Sequence, residues 1–217
     1  IPNTINISPA ADANGNKERL KEKMADYLTG LGFYEILTNS ITNSSYYSED
    51  ELSKSVKMLN NLSAELNVLR PSMLETALES IAYNINRKNN NLRFFEFGKT
   101  YASEKTGQYK EQEHFSIFIT GNDHADTWRE KSKTVDLFTV KGIAGSVLQL
   151  CGLPGIRFME PTTGNKGTAY AIQYKNHLLG TLLDVHPRYL SQFDIKQAVF
   201  QIDLEYATLL QLFEKQK

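Results

Sequence analysis

Residues 69–101, LRPSMLETALESIAYNINRKNNNLRFFEFGKTY, constrain the fold more than any other stretch of this chain. Pro71 fixes φ and pushes Arg70 toward an extended conformation, so a helix starts only after it. Ser72 is a favourable N-cap, and Glu75 three residues on completes a capping-box pattern. Leu74, Ala77, Leu78, Ile81, Ala82 and Ile85 then recur at the spacing of one buried helical face. Asn89, Asn90 and Asn91 end the helix, and residues 92–101 alternate as a strand. Phe95 and Phe97 share one strand face, Phe94 and Glu96 the other. A capped helix feeding a central strand belongs to a mixed α/β or α+β domain.

Before it, residues 16–31 form an amphipathic helix with Leu20, Met24, Tyr27, Leu28 and Leu31 as its stripe. Residues 32–41 alternate as a strand, 43–53 read as a short polar helix, 56–59 as a short strand and 62–66 as a helical turn. After it, residues 103–112 are a polar hairpin loop, 114–121 the return strand and 122–133 a charged loop around Trp128. A second long helix spans 135–150, with Leu137, Phe138, Ile143, Ala144, Val147 and Leu148 on its buried side. A strand follows at 156–160, a hairpin at 168–174 and 178–185, a short helix from Pro187 to Phe193, a last strand at 198–204 and a closing helix at 205–213.

Composition narrows the function classes. A net charge of -1 gives no global basic excess for nucleic acid. The lone Cys151 excludes an internal disulfide and a cysteine-based zinc site. No apolar run approaches the roughly 20 residues that span a bilayer, and no signal peptide is apparent, which reads as a soluble cytoplasmic domain. His114, His124, His177 and His186 lack a ligand spacing. Gly164-Asn165-Lys166-Gly167 is literally a GxxG clamp sequence, but its flanks read as strands, so it is taken as an ordinary turn.

Several segments together carry a resemblance. The sequence VLRPSMLETALESIAYNINRKNNNLRFFEFGKTY, with NNLSAEL before it, VDLFTVKGIAGSVLQLCG and GTLLDVHPRYLSQFDIKQAVFQIDLEYATLL after it, resembles the bacterial phenylalanyl-tRNA synthetase β-subunit family. The likeness runs from Ile1 to Leu210. It implies an α+β fold with a mixed, mostly antiparallel sheet flanked by helices, a degenerate class II aminoacyl-tRNA synthetase core. On this reading residues 1–13 are a linker from an upstream domain, 14–217 are the core, and the chain, which begins at Ile1, is a fragment or processed product. Residues 14–122 would supply the bulk of the sheet and 123–217 extend it.

The resemblance also sets a chemical expectation. A class II active site uses one arginine from an Arg-x-Glu strand and a second from a Gly-rich segment ending Glu-Arg. Here Arg93 and Glu96 are one residue too far apart, which puts them on opposite strand faces, and the second motif does not occur. No catalytic, cofactor-binding or metal-binding residue is therefore assigned. The resemblance implies a non-catalytic scaffold that binds the synthetase α subunit within an (αβ)₂ enzyme charging phenylalanine tRNA with ATP and Mg²⁺. Leu20, Met24, Tyr27, Leu28, Arg93 and Glu96 are the candidate interface residues, and the isolated fragment would self-associate through an apolar patch. The alternatives are a domain retaining an ATP or amino-acid site, or an RNA-contacting module.

Overall fold

The computed structural model describes residues 15–60, 63, 65–105, 107–124 and 126–215. The expected linker at 1–13 lies outside the described residues, as do parts of the expected turn at 62–66, where Ser63 bridges Leu66. In chain order the elements are α1 (Gly15–Gly30), β1 (Tyr34–Glu35), β2 (Ile41–Thr42), a 3₁₀ turn (Ser44–Tyr46), α2 (Glu49–Ser53) and β3 (Val68–Leu69). Next come α3 (Leu74–Ile85), β4 (Leu92–Lys105), β5 (Gln108–Thr120), α4 (Leu137–Leu150), β6 (Arg157–Phe158) and β7 (Thr162–Thr163). The chain closes with β8 (Gly167–Tyr174), β9 (His177–Val185), α5 (Pro187–Leu190), a second 3₁₀ turn (Ser191–Phe193), β10 (Val199–Glu205) and α6 (Tyr206–Glu214).

One eight-stranded sheet runs in the order β1-β4-β5-β10-β9-β8-β6, with β7 also on β8. Among the described residues only β1 on β4 is parallel; every other pair in this sheet is antiparallel. Five of its eight strands follow residue 135, so the second part of the chain shares the sheet rather than merely extending it. The β4–β5 hairpin is also longer than its polar sequence suggests, with pairing carried out to Lys105 and Gln108.

Alternation along these strands builds two cores. Phe95, Phe115, Ile117, Ile119, Phe200, Ile202 and Leu204 face one way and meet α1, α4 and α6. Leu92, Phe94, Phe118, Val185 and Val199 face the other way and meet α3 and the α5 segment. Leu20, Met24 and Leu28 stand four residues apart on one side of α1 and are completely buried in the first core. Burying each such side chain stabilises the fold by about 1.5–3 kcal/mol.

This placement corrects three candidate interface residues. Leu20, Met24 and Leu28 are consumed by the chain's own core and have no surface to offer a second chain. Tyr27 is only partly buried against that core. Phe138, assigned by periodicity to the inner side of α4, instead sits in its first turn and is exposed; Val140 takes the inner position.

Candidate subunit interface and a buried carboxylate cleft

The two charged candidates on β4 are not brought together. Glu96 points toward α3, is completely buried, and pairs with Arg70, which is 2% exposed, at 3.0 Å. Arg70 Nε donates to Lys99 O at 2.8 Å and Nη1 to Thr38 Oγ1 at 2.6 Å. Glu96 Oε1 also accepts from Thr38 N, and Oε2 accepts from Thr38 Oγ1 at 2.8 Å. Glu96 is thus a core residue, which corrects its assignment to a subunit interface. Gly98 makes the network sterically feasible, because a Cβ there would overlap Arg70 Nη2 and the end of Met73.

Arg93 lies on the opposite face of β4. Its Nη1 donates to Leu31 O at 3.3 Å, its Nη2 to Asp123 O, and its guanidinium stands 5.7 Å from the Phe33 ring centroid. Arg93 therefore ties the end of α1 to the loop that follows β5. Both tethered segments carry exposed apolar side chains. Tyr34 lies in β1, an edge strand of the sheet, Leu31 and Leu37 flank it, and Trp128 belongs to the loop; Leu37 is 91% and Trp128 97% exposed. Exposed large apolar residues, aromatic ones especially, are the side chains that association surfaces use. Periodicity places Leu31 on the helix stripe and Tyr34 and Leu37 in an alternating strand, but it cannot say that all three are exposed.

A second polar cluster lies on the α3 side. Glu75, expected to close a capping box, turns inward instead. Met73 is the N-cap residue without a side-chain cap, and Ser72 Oγ accepts from Leu74 N. Glu75 is completely buried. Its Oε1 accepts from Lys166 Nζ at 2.6 Å and from Tyr189 OH at 2.7 Å. Lys166 also pairs with Glu51 Oε1 at 2.7 Å. Lys166 comes from the GxxG turn, where Gly164 and Gly167 exchange backbone bonds between β7 and β8. Next to this cluster is a cleft of about 950 Å³, lined by Tyr46, Tyr47, Glu51, Lys166, Arg188 and Tyr189 among others.

Burial alone would lower the Lys166 pKa, but the charges and hydrogen bonds of Glu75 and Glu51 outweigh it and leave the ammonium above its ordinary value. Burial raises Glu51, yet the Lys166 and Ser48 bonds bring it below the usual carboxylate range. Tyr47 and Tyr189 are pushed up by burial and then by the Glu75 charge, so both phenols stay protonated. Burial pushes the Cys151 thiol up to about 12, which removes it as a nucleophile at neutral pH.

Elsewhere on this face, His114 Nε2 stands 2.8 Å from Thr100 Oγ1 and Nδ1 3.0 Å from Asp203 Oδ2, while Ser116 Oγ donates to Asp203 Oδ1. The row links β4, β5 and β10. His186, one of the four histidines without a ligand spacing, caps α5 by accepting from Arg188 N.

The family model for the phenylalanyl tRNA synthetase beta chain CLM domain matches residues 1–205. The phenylalanine–tRNA ligase beta subunit of Bacteroides thetaiotaomicron is 33% identical over 232 aligned residues, taking in 100% of this chain and 28% of that protein. The one from Bacillus licheniformis is 32% identical over 191, taking in 85% of this chain and 24% of that protein. The chain thus spans about a quarter of the length of these relatives. Among solved structures, pyrrolysyl-tRNA synthetase from Desulfitobacterium hafniense superposes with a TM-score of 0.72 at 18% identity, over 93% of this chain and 70% of that one. The fold is that of a class II synthetase core.

Proposed function

The chain belongs to the phenylalanyl-tRNA synthetase beta-chain family, and on that premise we propose that it is a non-catalytic core that docks the α subunit and builds the (αβ)₂ enzyme. The observation that carries this reading is the set of exposed apolar residues on the two segments that Arg93 ties together, Leu31, Tyr34 and Leu37 around β1 and Trp128 in the loop after β5. Arg93 then acts as a positioning residue for that surface. Obligate interfaces of this kind bury more than roughly 2,000 Å² and are rich in apolar contacts.

Arg93 and Arg70 do not fit a nucleotide site. Arg93 is bound by two backbone carbonyls on the far face of β4, and Arg70 is buried and neutralised by Glu96. ATP and Mg²⁺ are therefore assigned to the α subunit, and tRNA to the assembled enzyme in the cytoplasm. The chain's own contribution is to present a rigid, desolvatable surface.

The test is to mix this chain with its cognate α subunit and follow mass by light scattering after size exclusion. A stable complex is expected. Replacing Leu37 by Asp should weaken it at least about tenfold, which is a loss of about 1.4 kcal/mol, while leaving the thermal midpoint of this chain unchanged. No complex at micromolar concentration would overturn the scaffold reading. A complex indifferent to Leu37→Asp and Trp128→Ala would remove the β1 edge from it.

A further inference from the structure

The loop after β5 is built around its tip, and the fold makes no use of what that tip carries. Thr127 N donates to Glu130 O at 2.9 Å, and Glu130 N donates back to Thr127 Oγ1 at 3.0 Å, so Trp128 and Arg129 form a crest between them. Below the crest Asp126 Oδ1 accepts from Ser132 N at 2.8 Å, and Asp123 N donates to Lys133 O at 2.8 Å. At the base Asn122 N donates to Asn91 Oδ1, and Arg93 holds Asp123 O. Trp128 is left almost wholly in water on this hydrogen-bonded support. A large side chain displayed on an ordered loop is pre-organised for association, because binding has little order left to impose.

The same end of the sheet carries unpaired positive charge, in a chain whose net charge is -1. The loop's own carboxylates are engaged inside it, Asp123 by His124 Nδ1 at 2.7 Å, Asp126 by Ser132, and Glu130 by Lys133 at 3.7 Å. Arg129 and Lys131 are exposed and have neither a hydrogen bond nor an ion pair among the described residues. The segments 86–91 and 194–198 are tied to the loop's base, the first through Asn91 and the second through Gln197, whose Nε2 donates to Asn90 O at 2.6 Å. They add Lys88 and Lys196, exposed and equally unpaired, and Arg87, whose guanidinium lies 3.3 Å over the exposed Tyr83 ring. Asp194 is the only carboxylate in those two segments.

We propose that the Trp128–Arg129 crest is the anchor of the α-subunit interface, and that it enters an apolar pocket rimmed by carboxylates on the α subunit. This rests on the docking reading above and names the chemistry of the partner's face. Tryptophan and arginine are the residues that most often dominate interface energetics, the indole filling a dry pocket and the guanidinium pairing beside it. Arg129 and Lys131 have no salt bridge of their own to break before they meet the rim. Arg87, Lys88 and Lys196 stand further out and act at a distance, drawing an acidic surface in before contact. A single strand of nucleic acid is the other polyanion with a use for an indole among cations. A protein face is favoured because the loop is continuous, through Arg93, with Leu31, Tyr34 and Leu37, which carry no charge for a phosphate backbone.

The experiment is to measure association and dissociation rates of this chain on immobilised cognate α subunit by surface plasmon resonance. Trp128→Ala should weaken the complex about 30-fold, mainly through faster dissociation. The double variant Arg129→Glu/Lys131→Glu should slow association about tenfold at roughly 50 mM salt, and most of that difference should vanish at roughly 500 mM. Trp128 is the only tryptophan of the chain, so fluorotryptophan labelling gives a single fluorine resonance, which should shift when unlabelled α subunit is added. These side chains are exposed, so the variants should keep the wild-type thermal midpoint. A complex that forms and depends on Leu37, yet is indifferent to Trp128→Ala, or whose association rate ignores both the charge reversal and salt, would overturn the proposal and leave the docking reading standing. No complex at all would overturn both. A fluorine signal that the α subunit leaves unmoved, but that single-stranded oligouridylate shifts, would overturn the proposal in favour of a nucleic-acid surface.

Discussion

Glu75 and Thr76 are neighbours on the first turn of α3, yet they serve two buried polar clusters built to different standards. Thr76 belongs to the Arg70–Glu96 network, where both carboxylate oxygens are engaged and the guanidinium bonds a backbone carbonyl as well as its partner. Glu75 belongs to the Lys166 cluster, where one oxygen takes two donors and the other takes none. The difference follows from the cations. A guanidinium is a rigid fork that locks several acceptors at once, whereas an ammonium is a point charge on a flexible stem. A completed network fixes β4 to α3 and the segment before it.

Substitution should separate the two. Arg70→Met leaves Glu96 charged and unpaired in the core, and should cost about 3–5 kcal/mol in denaturant unfolding. The double variant Arg70→Met/Glu96→Leu should regain much of that loss, because both buried charges are gone. A loss below about 1 kcal/mol for the single variant would show that the network does not hold the fold. Lys166→Met should cost less, about 1–3 kcal/mol. Lys166 is partly open to water, and Glu75 keeps its Tyr189 bond. Equal losses for the two single variants would erase the contrast.

The contrast also marks what could be read from the sequence. The helices α1, α3, α4 and α6, the β4–β5 and β8–β9 hairpins and the opposite facing of Arg93 and Glu96 follow from local periodicity, and the structure contains them. The errors arise where a distant partner outbid a local pattern. The alternating stretch 32–41 suggested a ten-residue strand, but only Tyr34 and Glu35 pair with β4. Just beyond, Thr38 N leaves the ladder to bond Glu96 Oε1. Glu75 fits a capping box perfectly well in sequence, and it abandons that role for a lysine 91 positions away. Leu20, Met24 and Leu28 form an apolar stripe that periodicity cannot assign to the chain's own core or to another subunit. No spacing rule links Arg70 to Glu96 or Glu75 to Lys166, because those pairings exist only once the sheet has formed.

The smallest expected effect is one of pH, and it distinguishes the clusters without disrupting either. The Lys166 pKa is raised above 10.5, so its contribution is complete below that value and is lost as pH climbs through the folded-state value. Glu51 is lowered below 4.5, so its contribution is complete above that value and is lost as pH falls through the folded-state value. The Lys166–Glu51 link therefore stabilises the fold across the range between these two limits. Its magnitude stays below about 1 kcal/mol, because Glu51 is a third exposed. A guanidinium in general stays charged across this range, which makes Lys166→Arg the informative variant. Tyr47 and Tyr189, both raised above 10.0, also lose stability as pH rises, which makes the wild type alone uninformative. The useful quantity is the difference in thermal midpoint between wild type and Lys166→Arg, in which the tyrosines are common. That difference should be constant from about pH 6 to 10 and move in favour of the arginine variant above pH 10.5. Parallel curves through the alkaline range would mean that the Lys166 ammonium does not hold the cleft together.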